Sequence, residues 1–192
     1  MDERLYRFLK FTAMFMALSL LAWAVYDKLI RSTEPGELTY QAGTNYFADG
    51  YYDKALQAYE EALETHPGYL PALRGRAETL IMLDRDREAI EIYRELIALE
   101  PDSAGHYANR GIAHDKIGEY EKALTDYTVA LRLDSEIGEG PGWLIRFLRN
   151  QPEKQPGIAD RAQYLTQQLA LPPAERVLRV PEKDETQRPY KK

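Results

Sequence analysis

The chain has 192 residues, of which 44% are hydrophobic and 29% charged, and its formal net charge is −6. This length allows one modest domain with appendages rather than two large cores. The absence of cysteine excludes disulfides, thiolate metal sites, a cysteine nucleophile and covalently attached haem.

The charge is distributed unevenly along the chain. Residues 36–137 hold ten basic and twenty acidic side chains, whereas residues 138–192 hold ten basic and seven acidic ones. A segment as acidic as 36–137 repels a phosphate backbone, so we expect no nucleic acid among the partners. The basic C-terminal segment is suited to contact lipid headgroups or the acidic segment itself.

The first predicted element is a membrane-spanning helix within residues 1–30. Residues 11–26 carry no charge, and a helix counted from residue 8 to residue 30 has 23 residues. At 1.5 Å per residue this is long enough to cross a hydrocarbon core about 30 Å thick. We therefore expect a single-pass membrane protein that contacts the lipid bilayer through residues 8–30.

A cleaved signal peptide is the alternative interpretation of this segment. The triplet Ala22-Trp23-Ala24 fits the small-x-small pattern of a cleavage site and follows a basic N-terminal region. Against cleavage, apolar sequence continues beyond the triplet, and the bulky residues Val25 and Tyr26 come next. The anchor is the favoured interpretation, and loss of residues 1–24 stays open.

The flanks of the apolar segment predict its orientation. Basic side chains are more numerous before it, at Arg4, Arg7 and Lys10, than after it, at Lys28 and Arg31. Because the more basic flank stays in the cytoplasm, we expect the rest of the chain on the periplasmic side of a bacterial inner membrane. Residues 31–35 form a short linker that reaches at most about 18 Å when fully extended.

An internal repeat with a period of 34 residues follows the linker. Small, aromatic and apolar positions coincide when the sequence is shifted by this period. The coincident sets are Ala55, Ala89 and Ala123; Tyr59, Tyr93 and Tyr127; Gly43, Ala77 and Gly111; Ala62, Leu96 and Ala130; and Leu63, Ile97 and Leu131. Closely packed antiparallel helices need small residues where their backbones approach, and an aromatic ring four residues after the alanine fills the space between hairpins.

Two segments carry a specific resemblance to a known family. Residues 46–67 read YFADGYYDKALQAYEEALETHP, and residues 108–134 read ANRGIAHDKIGEYEKALTDYTVALRLD. Both resemble tetratricopeptide repeats. The resemblance implies an all-α fold, a short right-handed α-solenoid of three helical hairpins at residues 36–69, 70–103 and 104–137.

Residues 138–171 are predicted to cap the third hairpin. They contain two apolar stripes at helical spacing, and a solenoid needs a terminal cap with a polar outer face. The stripes are Trp143, Leu144, Phe147 and Leu148, then Ile158, Ala162, Leu165 and Leu169. The proline-containing residues 172–192 are expected to form an extended basic tail, which Val177, Leu178 and Val180 anchor as an extended strand.

The sequence contains no motif typical of catalysis. His106 and His114 are eight residues apart in one predicted helix, about 12 Å along its axis, which is too far to share a metal ion. No Gly-rich phosphate loop follows a strand, and neither Gly-x-Ser-x-Gly nor His-Glu-x-x-His occurs. We expect no enzymatic activity, no cofactor, no metal and no small-molecule substrate.

The resemblance to tetratricopeptide repeats implies a peptide-binding groove lined by first-helix positions. Carried over by position, the candidates are Tyr40, Thr44, Phe47, Arg74, Glu78, Ile81, Met82, Ala108, Ile112 and Asp115. We expect the large apolar members to form the floor, and Arg74 and Glu78 to give polar selectivity. The alternative is that these residues cover the core or receive the chain's own C-terminal segment.

The carboxylate clamp with which some members of the family hold chaperone C-termini is missing from the sequence. That clamp needs lysine, asparagine and arginine at set groove positions. The corresponding residues here are Tyr40, Thr44, Gly75, Gly105 and Asn109. We therefore expect no binding of chaperone C-termini.

Together these features predict a membrane-tethered scaffold that mediates protein–protein interaction in the assembly or maturation of a membrane or envelope complex. The short linker implies a protein partner in or near the same membrane. Membrane-anchored repeat domains in cytochrome c maturation are similar in architecture. Two alternatives remain: an accessory structural subunit bound through its transmembrane helix, and a soluble exported chaperone if the N-terminal segment is cleaved.

Overall fold

The computed structural model describes residues 3–30, 35–138 and 157–179, and all regular structure within these ranges is helical. The helices are α1 (Glu3–Ile30), α2 (Glu37–Ala48), α3 (Tyr52–Thr65), α4 (Leu70–Met82), α5 (Asp86–Leu99), α6 (Ala104–Lys116), α7 (Tyr120–Leu133) and α8 (Ile158–Leu169). Short 3-10 turns lie at Ser135–Gly138 and Pro173–Glu175. The predicted all-α fold is confirmed.

Helix α1 contains a stretch, Arg7–Tyr26, that is long and apolar enough to cross a membrane. The whole helix has 28 residues and is about 42 Å long. Its large apolar side chains are exposed, among them Phe11, Phe15 and Trp23. Length and composition alone define this stretch, and a signal sequence near an N-terminus has the same properties.

Helices α2 to α7 form three hairpins: α2 with α3, α4 with α5, and α6 with α7. Each hairpin packs against the next through α3 on α4 and through α5 on α6. This arrangement confirms the prediction of three tetratricopeptide-type hairpins. Residues 31–34, which precede the first hairpin and belong to the predicted linker, lie outside the described part of the chain.

The turn inside each hairpin is built in the same way. Gly50, Asp84 and Gly118 all adopt a left-handed backbone conformation, with φ of 80°, 56° and 82°. The next residue donates its backbone N–H to a carbonyl five positions earlier, for example from Arg85 to Leu80 at 2.9 Å. This bond closes the helix end, and Asp84 accepts a conformation that glycine adopts without steric cost.

Tyrosine rings fit against glycines where the helices approach most closely. A Cβ atom added at Gly43 would lie 2.8 Å from Tyr59 Cε1, and one added at Gly75 would lie 2.5 Å from Tyr59 Cζ. Tyr127 stands in the same relationship to Gly111, at 2.7 Å. The rings occupy the volume that side chains at these glycines would need, so these glycines let the helices approach.

The repeat columns form a continuous core. Ala55, Ala89 and Ala123 are fully buried, and the tyrosines of the aromatic column are at most 3% exposed. A second column of small and apolar residues, Ala62, Leu96 and Ala130, is also fully buried. The period of 34 residues therefore identified the interior of the solenoid.

Helix α8 extends this core beyond the third hairpin. Its residues Ile158, Ala162 and Leu165 are buried in the same cluster as Ala123 and Tyr127, and α8 packs against α7. The first predicted capping stripe, with Trp143, Leu144, Phe147 and Leu148, lies outside the described residues.

The segment after α8 folds back along that helix. The Tyr164 hydroxyl donates to the carbonyl of Val177 at 2.5 Å, and the Val177 N–H donates to Gln168 Oε1 at 2.7 Å. Leu178 packs against the core cluster, as the predicted extended segment requires. The prediction of an entirely extended tail needs one correction, because Pro173–Glu175 form a 3-10 turn that proline favours at its start. Val180 and the residues after it lie outside the described part.

Candidate functional site

A groove of about 550 Å³ opens on the surface formed by the three hairpins. All three hairpins contribute residues to it. Its lining includes Tyr40, Thr44, Tyr59, Pro71, Arg74, Gly75, Glu78, Tyr93, Asp102, Ser103, Gly105, His106, Asn109, Leu133 and Asp134. Most lining side chains come from the first helices of the hairpins, α2, α4 and α6, and the rest come from tyrosines of the second helices and from chain turns.

Four of the ten residues proposed from the sequence line this groove. They are Tyr40 and Thr44 of α2, and Arg74 and Glu78 of α4. Each pair is spaced by four residues, which places its members on one face of a helix. Thr44 is exposed, and the other three are partly buried.

The other six proposed residues do not line the groove. Ile81, Ala108 and Ile112 are at most 2% exposed and belong to the main core cluster. The residues Phe47 and Met82 pack in the cluster of the first hairpin. The groove is therefore more polar than the apolar floor expected from the sequence, because the large apolar side chains serve the core.

Asp115, the last of the ten, is held inside the protein by the C-terminal helix. Arg161 of α8 donates two hydrogen bonds of 2.7 Å to its carboxylate, from Nε and Nη2. The Tyr127 hydroxyl donates to Asp115 Oδ2 at 3.2 Å, and Arg161 Nη2 also donates to the carbonyl of Leu178 at 3.0 Å. Asp115 thus has a structural role, which the sequence signalled only by an arginine within the apolar stripe of α8.

Sequence reasoning missed the contribution of the second-helix tyrosines. Their rings fill the space between helices as expected, but Tyr59 and Tyr93 also reach the groove. The Tyr59 hydroxyl donates to Thr44 Oγ1 at 3.4 Å. Burial raises the pKa of Tyr59 to about 12, and the negative charge of Glu78 adds to this effect. Tyr59 is therefore a protonated hydroxyl at neutral pH.

The charged groups of the groove are mainly acidic. Its lining holds Glu78, Asp102 and Asp134 but one arginine, Arg74. The fifth titratable group of this set, His106, has its Nε2 2.7 Å from Glu100 Oε2. Burial nevertheless lowers the pKa of His106 below its usual 6.5, so this imidazole is neutral at pH 7. The groove lining therefore carries a net negative charge.

The five positions of the carboxylate clamp all lie in the groove. None of them, Tyr40, Thr44, Gly75, Gly105 and Asn109, carries a positive charge. At Gly75 the ring of Tyr59 leaves no room even for a Cβ atom. The site therefore has the location of a clamp but a different chemistry. Among the described residues, no group of three or more His, Asp or Glu side chains is arranged to hold a metal ion.

Comparison with known families identifies the repeated segment. Two tetratricopeptide repeat models match residues 46–110 and 87–136. Among curated proteins, RNA polymerase II-associated protein 3 of Xenopus tropicalis is 31% identical over 108 residues, which are 56% of this chain and 16% of that protein. The DnaJ homolog subfamily C member 7 homolog of Dictyostelium discoideum is 31% identical over 116 residues, 58% of this chain and 21% of that protein. The chain thus spans a small part of the length of these relatives.

Solved structures show the same fold. The first tetratricopeptide domain of Spaghetti, bound to the HSP90 peptide SRMEEVD, has a TM-score of 0.54 at 21% identity and covers 73% of this chain and 97% of that one. MamA from Desulfovibrio magneticus RS-1 has a TM-score of 0.52 at 18% identity and covers 88% of this chain and 97% of that one.

Proposed function

The chain contains tetratricopeptide repeats, and on this premise we propose that it is a membrane-tethered scaffold whose groove docks a protein partner. Its role is the assembly or maturation of a membrane or envelope complex. One observation carries the proposal: the groove is open and is lined by residues of all three hairpins. None of the described residues 157–179 contributes to its lining, so the described part of the C-terminal segment leaves the groove accessible.

The tether in this proposal is α1. Its side chains from Phe8 to Tyr26 include large apolar groups that are at least half exposed, such as Phe15 at 72% and Leu21 at 65%. Removing this much apolar surface from water is strongly favourable, and a bilayer provides the apolar environment along the whole helix. Residues 8–30 therefore cross the lipid bilayer, and the more basic N-terminal flank stays on its cytoplasmic side.

The position of the groove follows from the tether. Helix α1 ends at Ile30 and α2 begins at Glu37, so few residues separate the bilayer from the repeats. The proposed partner is accordingly a protein in or on the same membrane, and the repeats face the periplasm of a bacterial inner membrane.

The proposal does not extend to chaperone tails. The Spaghetti domain binds an HSP90 peptide that contains two glutamates, whereas this groove presents no positive charge at the clamp positions. An acidic peptide would meet Glu78 and Asp102 with one arginine, Arg74, to offset them. The fold is shared, and the ligand chemistry differs.

The exposed apolar surface of α1 also supports a second candidate, an accessory subunit that binds its complex through this helix. Photo-crosslinking in cells separates the two. A photoreactive amino acid at Thr44, in the groove, should capture a specific partner, and the same group at Gln57, exposed on α3 and outside the groove, should not. Equal capture at the two positions would contradict docking in the groove. Capture only from α1 positions such as Phe15 would favour the accessory subunit.

The intact mass of the membrane-extracted chain tests the tether itself. The full-length mass is expected. A mass that lacks residues 1–24 would instead identify a cleaved signal peptide and a soluble exported protein.

A further inference from the structure

The charge of the groove lining indicates what kind of partner segment fits there. Glu78 lies on α4, Asp102 precedes α6, and Asp134 follows α7, so acidic groups come from three different parts of the groove wall. Arg74 is the one lysine or arginine among the lining residues described. Because three carboxylates outnumber one guanidinium, the groove attracts cations.

Glu78 acts near the middle of this lining. Its negative charge raises the pKa values of two tyrosine hydroxyls, Tyr59 and Tyr93, in addition to the effect of their burial. These tyrosines belong to different hairpins and both line the groove. The field of Glu78 therefore reaches both walls, where a docked side chain would lie.

The surrounding protein strengthens this field. Residues 36–137 carry twenty acidic and ten basic side chains, and the groove is cut into this segment. A concave site with walls of low dielectric constant concentrates the field of its charges and raises the local concentration of opposite charge. An incoming segment with lysine or arginine gains from both the local and the overall charge.

The neutral polar groups of the groove suit an extended peptide. Thr44, Ser103 and Asn109 line it from two helices and a turn, and their side chains donate and accept hydrogen bonds. Such groups bind a peptide backbone without selecting its side chains. The selectivity then comes from the charged residues.

We propose that the groove binds an extended segment of a partner protein that presents lysine or arginine to Glu78 and Asp102. This inference rests on the proposed function, docking of a partner in the groove. A segment rich in glutamate or aspartate is excluded by the same charges.

The test uses the full chain in phosphatidylcholine nanodiscs, which carry no net lipid charge to attract basic peptides. Fluorescence polarisation compares three pools of blocked heptapeptides, randomised except for a central Lys/Arg, Ala or Asp/Glu. At 50 mM salt the Lys/Arg pool should bind at least tenfold more tightly than the Asp/Glu pool, and 500 mM salt should reduce this preference because charges are then screened. The double variant Glu78→Gln/Asp102→Asn should lose most of the preference, whereas Glu61→Gln, exposed on α3 outside the groove, should retain it.

The possible failures are distinguishable. Equal binding of all pools, or tighter binding of the Asp/Glu pool, would overturn the inference and leave docking in the groove intact. Binding of every pool no stronger than to empty nanodiscs would instead contradict the proposed function. Deletion of residues 180–192 should leave the affinities unchanged, and a tenfold gain would show that the chain's own tail occupies the groove and would overturn the assignment to a partner.

Discussion

Arg161 and Asp115 are 46 residues apart in sequence and form a buried ion pair with two parallel hydrogen bonds of 2.7 Å. The pair joins α8 to the first helix of the third hairpin, and the two side chains are 7% and 2% exposed. The carbonyl of Leu178 accepts a further hydrogen bond from Arg161. One guanidinium therefore fixes the third hairpin, α8 and the segment after it.

The first prediction concerns this ion pair. Replacement Arg161→Met leaves the Asp115 carboxylate buried without its partner, which typically costs 3–5 kcal/mol of unfolding free energy. Urea unfolding of the full chain in detergent, followed by circular dichroism at 222 nm, measures the loss. Arg87→Met, at an exposed position of α5, is the matched control and should change stability by less than about 0.5 kcal/mol.

The double variant Asp115→Leu/Arg161→Met checks the reason for this loss. It removes both charges, so it should recover much of the stability that the single variant loses. A single variant as stable as the parent would show that the pair does not hold α8 in place.

The second prediction concerns the contact between Gly75 and Tyr59. Gly75→Ala places a Cβ atom 2.5 Å from Tyr59 Cζ, so the ring or α4 must shift. Such overpacking typically costs about 1–3 kcal/mol. The matched control is Gly68→Ala, where a Cβ atom meets nothing within 4 Å. Thermal unfolding should separate the two variants, and an equal melting temperature would mean that Tyr59 has free space around it.

The third prediction is a loss of stability on mild acidification caused by His106. Its pKa is lowered in the folded chain, mainly by burial and also by the charge of Arg74, although the hydrogen bond to Glu100 opposes this. The unfolded chain therefore takes up a proton at pH values where the folded chain does not. Its contribution to stability is complete above the unfolded pKa of about 6.5 and is lost as the pH falls toward the lower folded pKa.

The variant His106→Gln isolates this effect. Between pH 7.5 and pH 5.0 the unfolding free energy of the parent should fall more than that of the variant. The carboxylates are common to both chains and cancel in this comparison. Parallel pH profiles for the two chains would show that His106 does not titrate differently in the folded and unfolded states.

The sequence predicted the solenoid because its repeat is a packing requirement. Ala55, Ala89 and Ala123 are fully buried at the same point of each hairpin, so their spacing reports the fold directly. The turns were equally readable, since Gly50 and Gly118 adopt positive φ values, and Asp84 does so in the middle copy.

The groove was predicted well only in the first two hairpins. Tyr40, Thr44, Arg74 and Glu78 line it, but the equivalent positions of the third hairpin, Ala108 and Ile112, are buried. They share a core cluster with the apolar stripe of α8. The period of the repeat describes hairpins packed on other hairpins, and it contains no information about a helix that ends the series.

The charge of the groove was also beyond the sequence pattern. Asp102 and Asp134 lie outside the first helices, between hairpins and after the last one, and only the fold brings them to the same groove as Glu78. Their roles depend on contacts across repeats, which spacing within one repeat does not specify.

The central claim is that α1 holds the groove at a membrane where its partner lies, and lengthening the linker tests it most directly. A photoreactive group at Thr44 reports docking in cells, in the parent and in a chain with about twenty Gly/Ser residues inserted after Ser32. Such an insertion adds a flexible span on the order of 25 Å, which lowers the effective concentration of the groove at the bilayer. We predict a clear loss of the crosslinked product with the long linker, while the affinity for binding peptides in nanodiscs stays the same. Equal crosslinking by the two chains would contradict the claim and indicate a freely diffusing partner.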